Sequence, residues 1–476
     1  MTASRRTKRE RLKAKRGENA PAMPRTTKRV KLTVIDEKGA AAIHGAVLRI
    51  LSEIGVLIDD DATRRMLVQD HGCRQDEEGY VHLPEDLVQR SLETLGDQVR
   101  LFDRDGRQVV DTSDRIPRFC PGHNCVQILD HRTGEHRPGV RADLENTSRV
   151  CEALPNIDMA CSLGYPGDVP VENESIETVK ALTAHCKKPV AFTGHDEVKV
   201  EQIWSYLAEL VGGWGELADK PCGLDLTGPV SPLKLGEETC RRLEMSARRW
   251  LPMVCYPAIF PGMAGPITLA GSIAQSSAEA LAGVVIHQIH GPGAPILSGS
   301  AILPMDMRRA DLAYGSPEYA LAGLGAADYF SYIGLPSWTG AGCSDSHTVD
   351  LQAAAEVGSN MSMAALAGTA FIHNLGFLSG GRTGSLEMLV LCNELAGMVA
   401  KLGGGIVVDE ESLAVDVIKR SAAENAFLTD SHTFDRYQTE MWIPRIFERS
   451  DLSIWLESGA PSIRERLQDK LHSILS

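Results

Sequence analysis

Between Tyr332 and Gln352 the chain reads YIGLPSWTGAGCSDSHTVDLQ, an apolar run that breaks into a small-residue turn and then into a polar, helix-opening stretch. Trp338 offers an aromatic face, Asp345 a carboxylate and His347 an imidazole, while Gly340 and Gly342 permit positive φ or a close backbone approach to a ligand. His347 and Asp345 are the expected catalytic residues. Beyond them Asp350, Ala354, Val357, Met361 and Ala364 follow helical spacing, which puts the polar residues at a helix N-terminus. In an α/β barrel that is where catalytic groups collect.

Further polar residues follow other apolar runs: Asp225 and Thr227, Tyr256 and Phe260, Ser298 through Arg308, and His373 through Arg382. The last of these contains GFLSGGRTGS, with Gly380 and Gly381, but lacks the spacing and GK[ST] ending of a phosphate-binding loop. A flexible substrate loop is the expectation there. The eleven cysteines show no C-x-x-C spacing. Cys120 and Cys125 flank His123 without a third or fourth ligand at fitting spacing, so no metal site is expected.

The elements that would position these groups alternate between short apolar strands and amphipathic helices. Expected strands are Asp158 to Leu163, Pro189 to Thr193, Gly223 to Thr227, Met253 to Pro257, Ala294 to Ser298, Leu335 to Thr339 and Phe371 to Asn374. Alternation of this kind implies parallel strands with right-handed crossovers. The expected fold class is α/β, a TIM (β/α)8 barrel with N-terminal helical and β-hairpin additions and a C-terminal helical extension; a doubly wound sheet is the runner-up. The expected boundaries are a disordered basic arm over 1–31, the N-terminal additions over 32–135, the barrel over 136–405 and the helical extension over 406–476. His123 then falls in a hairpin outside the repeat.

A chain of 476 residues accommodates a barrel of about 250 residues with additions. The net charge of -14 argues against general nucleic-acid binding. No apolar stretch follows the basic run from Arg5 to Arg16, so a secretory signal is not expected. Met361 to Leu378 is interrupted by polar residues and reads as a buried helix leading into a strand rather than a membrane span. A cytoplasmic protein is expected, and a homo-oligomer is left open.

The segments YPAIFPGMAGPITLAGSIAQSSAEALAGVVIHQIHGPGAPILSGS, MDMRRADLAYGSPE and GAGCSDSHTVDLQAAAE resemble the trimethylamine:corrinoid methyltransferase family, as do VQILDHRTGEHRP and NELAGMVAKLGGGIVVDEESLAVDVI. The resemblance covers nearly the whole chain. It implies a TIM barrel that moves a methyl group from a methylated amine to the cobalt of a corrinoid (cobalamin) on a separate small protein, with no tightly bound cofactor of its own. Family members using trimethylamine contain pyrrolysine, whereas this sequence shows only standard residues. That departure points to the pyrrolysine-free branch and to a quaternary amine, glycine betaine first.

A permanent cation calls for aromatic faces, each contributing roughly 0.5 to 2 kcal/mol. Trp338, Tyr256, Phe260 and Tyr332 are the expected faces, with Asp225 and Glu318 as further carboxylates. A substrate carboxylate would need donors, for which Arg308, Arg382, His347 and His123 are the candidates. Gly340, Gly342, Gly380 and Gly381 mark loops expected to face the corrinoid. Three other readings stay open: a methyltransferase acting on trimethylamine or another methylated amine, a metal-dependent lyase or aldolase using Asp306, Glu318 and His373, and a quaternary-amine binding protein without turnover.

Overall fold

The structure, a computed structural model, describes residues 30–96 and 98–476. All but the last two residues of the expected basic arm lie outside the described residues. Seven parallel strands form one curled sheet: β1 (Arg118–Pro121), β2 (Val190–Phe192), β3 (Gly223–Thr227), β4 (Met253–Cys255), β5 (Ile296–Gly299), β6 (Ser337–Gly340) and β7 (Phe371–Leu375). They lie side by side in the order β1-β7-β6-β5-β4-β3-β2. The gap between β1 and β2 is closed by the extended segment 158–163. Asp158 N–H donates to Phe119 O at 2.7 Å and Leu163 N–H to Gly122 O at 3.0 Å, while Ala191 N–H donates to Ala160 O at 2.9 Å on the other side. The eight staves therefore make a closed barrel, which leaves no open sheet edge.

Each stave leads into a helix: α1 (Arg141–Ala153), α2 (Val171–His185), α3 (Glu197–Val211), α4 (Glu237–Arg249), α5 (Leu269–His290), α6 (Pro317–Tyr332), α7 (Leu351–Leu366) and α8 (Leu386–Gly403). Side-chain caps start four of them: Asp196 accepts from Lys199 N, Ser316 from Tyr319 N, Asp350 from Ala353 N and Ser385 from Met388 N. Alternation along the strands sends Cys120, Ala191, Leu224, Leu226, Val254, Leu297, Trp338 and Phe371 into one interior cluster. Val99, Leu101 and Val110, at and beside the hairpin Arg100–Phe102/Gln108–Asp111, belong to the same cluster and plug the N-terminal end.

Helix α5 is apolar on every side because it is sandwiched between the barrel and the N-terminal helices Glu37–Arg49 and Glu85–Glu93. By length and composition it could cross a membrane, but 78% of its most apolar window is buried in the protein. The final helix, Ile463–Leu475, docks on α1 and α8.

The barrel starts before the expected residue 136. β1 pairs in parallel with β7, so Arg118–Pro121 is its first strand and His123 stands at a strand end rather than in an outlying hairpin. No helix follows β1 directly: the hairpin Gln127–Leu129/His136–Pro138 intervenes before α1, which hides the repeat at its first unit.

Asp225, expected to meet a substrate, points the other way. It is fully buried on the outward face of β3 and pairs with Arg242 of α4, whose Nε lies 3.2 Å from Oδ2. Arg242 also donates to Leu226 O at 2.6 Å and Gly194 O at 3.2 Å, tying together the ends of β2 and β3. Asp225→Ala strands the guanidinium charge and is expected to lower the unfolding free energy by about 3–5 kcal/mol. Replacing both partners, Asp225→Leu with Arg242→Met, is expected to cost less; urea unfolding of the two variants compares them.

Candidate active site

At the C-terminal end of the barrel, aromatic rings converge on His373 of β7. Its Nδ1 donates to Thr339 O at 2.9 Å, so Nε2 carries the lone pair. Trp338 lies 4.9 Å away, Tyr256 meets it edge-on at 5.2 Å, and His123 stacks at 6.1 Å. Trp338 in turn stacks on Phe371 at 5.1 Å. Tyr314 and Tyr319 form an adjoining edge-to-face pair at 5.0 Å. A Cβ at Gly340 would sit 2.2 Å from the Tyr319 hydroxyl and 2.7 Å from the Asn374 amide, so the close packing of these groups requires glycine there.

Desolvation governs the charge of this cluster. Burial pushes the His373 imidazole down to about 3, helped by the neighbouring His123, and lowers His123 too. Burial also pushes the Tyr256, Tyr314 and Tyr319 phenols far up. Every titratable ring is thus neutral near pH 7. His123 Nδ1 and Trp338 Nε1 are buried with no hydrogen-bond partner among the described residues.

Two cavities adjoin the strand ends. One of about 300 Å³ is lined by Asn124, Tyr165, Glu174, His195, Glu238 and Arg242, among others. The other, about 550 Å³, lies over the ends of β5 to β7 and includes Asp306, Arg309, Asp345, His347 and Arg382. His347 is exposed there, with Nδ1 3.0 Å from Ser379 Oγ. Asp345 accepts the backbone N–H groups of Tyr314 and Gly315 at 2.8 and 2.9 Å, and burial raises its pKa. The pair expected to be catalytic therefore lines the outer cavity, with Asp345 already engaged in holding a loop.

Of the other expected residues, Tyr256, Trp338 and His123 come together in the ring cluster. Phe260 is half-buried and packs against the main apolar core instead. Tyr332 ends α6, at the opposite end of the barrel from the strand ends, and approaches His44. Glu318 is exposed on the first turn of α6. Arg308 is exposed beside the hairpin turn, and Arg382 is held by both Asp311 oxygens at 2.7 and 2.9 Å. Gly342 and Gly380 are buried and present no surface to an incoming group, while Gly340 and Gly381 are partly exposed. Asp306, Glu318 and His373, the lyase set, sit respectively on a rim hairpin, an exposed helix start and the barrel axis; among the described residues no group of three such side chains could hold a metal ion.

Tyr165, Glu174, Glu238, Tyr314 and Tyr319 are not singled out by the sequence, while Asn374 falls in the expected polar stretch His373 through Arg382. A usable signal was the polar His373–Asn374 pair closing the otherwise apolar strand FIHNL.

The profile of a family described as "Trimethylamine methyltransferase (MTTB)" matches residues 2–476. A trimethylamine methyltransferase of Desulfitobacterium hafniense is 28% identical over 435 residues, covering 91% of this chain and 87% of the relative. A glycine betaine methyltransferase of the same species is 28% identical over 450 residues, covering 94% and 93%. The crystal structure of the Methanosarcina barkeri monomethylamine methyltransferase superposes with a TM-score of 0.48 at 12% identity, covering 98% of this chain and 92% of that one.

The neutral imidazole of His373 has a consequence for stability. The unfolded chain takes up a proton near the ordinary 6.5, the folded chain only near 3, so stability is expected to fall as pH drops through that window. The slope is at most about 1.4 kcal/mol per pH unit for the group. Denaturation midpoints measured between about pH 4.5 and 6.5 should show a shallower fall for His373→Phe; an unchanged slope would mean that the ring is charged in the folded protein.

Proposed function

The chain belongs to the trimethylamine methyltransferase family, and from that premise we propose that it moves one methyl group from a small quaternary amine, with glycine betaine the reference compound, to a reduced corrinoid held by a separate protein. The observation that carries this reading is the neutral ring cluster of Tyr256, Trp338, His123 and His373 at the barrel mouth.

A quaternary ammonium has no proton to lose, and its amine departs uncharged once the methyl carbon is taken. Such a transfer needs orientation more than acid or base. Neutral rings suit it, because aromatic faces hold the cation without the deep ground-state stabilisation that paired carboxylates would give. His373 and His123, kept uncharged by burial, add no repelling positive charge. Free trimethylamine is a harder donor, since its nitrogen must first be protonated or covalently activated, and the sequence contains only standard residues for that task.

The strand-end face fits a large, partly apolar acceptor. Met263, Ile267 and Met307 are 66%, 63% and 67% exposed on loops at that face, and a Cβ on Gly262 would lie 3.0 Å from Ile267 and 3.8 Å from Met307, so the patch is continuous. These three side chains would hold the edge of the corrinoid or of the protein carrying it. When bound, the reduced corrinoid supplies a nucleophilic metal centre; this chain supplies the cation's orientation and the exclusion of water.

Methylation of reduced cobalamin, followed by absorbance with a panel of amines, tests the reading. Glycine betaine or another quaternary amine is expected to react and trimethylamine not to. Tyr256→Leu is expected to raise KM by roughly 2- to 30-fold, the loss of one aromatic face. Reaction with trimethylamine alone would overturn the quaternary assignment. Tight binding without turnover, even with a native corrinoid protein present, would leave a binding protein.

A further inference from the structure

The 300 Å³ cavity opens beside the ring cluster: Asn124 follows His123 in the chain, and a Cβ at Gly228 would lie only 2.3 Å from Tyr256 O. Asn124, on its wall, is the chain neighbour of His123, whose Nδ1 is buried and unpartnered among the described residues. A donor whose methyl groups sit among the rings would extend its remaining substituent into this space. The charges there are unbalanced. Glu174 Oε2 meets His195 Nε2 at 2.8 Å, and the exposed Glu238 carboxylate has no partner among the described residues. Arg242 reaches the wall, but its charge is matched by Asp225 and its N–H groups are committed to Asp225, Leu226 O and Gly194 O. Asn124, Tyr165, Thr193 and Thr227 supply neutral donors and acceptors.

We propose that this cavity is the subsite for the donor's non-methyl substituent and that it takes a hydroxyl or a second cationic group in preference to a carboxylate. The inference rests on the quaternary-amine reading. A substrate carboxylate would face Glu174 and Glu238 with no uncommitted guanidinium to receive it, whereas a hydroxyl finds both hydrogen-bond senses. Glycine betaine is then a weaker ligand than choline, its hydroxylated counterpart.

Titration calorimetry of the full chain with choline, glycine betaine and tetramethylammonium tests the subsite without requiring turnover. Choline is expected to bind at least about tenfold more tightly than glycine betaine. Glu238→Gln, a replacement at an exposed position, and Glu174→Gln are each expected to narrow that ratio about threefold or more while leaving tetramethylammonium, which has no substituent, within about twofold. Equal or tighter binding of glycine betaine by the unaltered chain overturns the proposal. So does an equal effect of the variants on tetramethylammonium, or binding of none of the three. The expected binding order without methyl transfer would sink the enzymatic reading and leave the subsite standing; methyl transfer without the order would do the reverse.

Discussion

A closed barrel of eight staves has a fixed interior, so bulky rings at its upper end need room that neighbouring glycines leave. That constraint shapes the whole strand-end face. A Cβ at Gly299 would lie 2.0 Å from Trp338 O and 3.1 Å from the Tyr256 ring, and one at Gly122 would lie 2.0 Å from the Phe377 ring. Gly122, Gly299 and Gly340 leave room for the side chains of Phe377, Tyr256 and Tyr319, while Gly228 and Gly299 also admit the close backbone of Tyr256 and Trp338. Below this layer the interior is filled conventionally by Leu224, Leu226, Val254 and Leu297.

Tight packing then sets the electrostatics. With water excluded, the imidazoles of His123 and His373 stay neutral, and Thr339 fixes the tautomer of His373. Around the site, full charges sit where they are compensated, as Asp225 and Arg242 are outside the sheet, or where water reaches them, as at Glu238. The site consequently presents an uncharged floor with acidic groups to one side.

Much of the barrel was legible because apolar strands and capped helices alternate regularly; the expected strands at Gly223 to Thr227 and Phe371 to Asn374 match the observed ones to within a residue. β1 was less so, since its apolar run RFCP is short and leads into a hairpin before any helix. Side-chain direction was the harder problem. Asp225 stands at a strand end, but its one-residue offset from Leu224 and Leu226 turns it outward to Arg242. Arg382 looked free in sequence, yet its partner Asp311 is 71 residues away. Tyr332 belonged to the right segment but closes a helix at the wrong end of the barrel. Tyr256, Trp338 and His123 were found as types suited to a site; their common centre, His373, became visible only once the strands were placed side by side.

The hairpin that stops the N-terminal end has one more effect. With Val99, Leu101 and Val110 wedged beneath the interior side chains, the barrel is a blind well rather than a tunnel. On the proposed reading, donor, departing amine and methyl acceptor all use the strand-end face, where both cavities lie. Nothing passes through the far end, so a donor seated among the rings and an acceptor docked above them approach from the same side. That one-sidedness is set by the plug at the far end of the barrel, remote from the ring cluster.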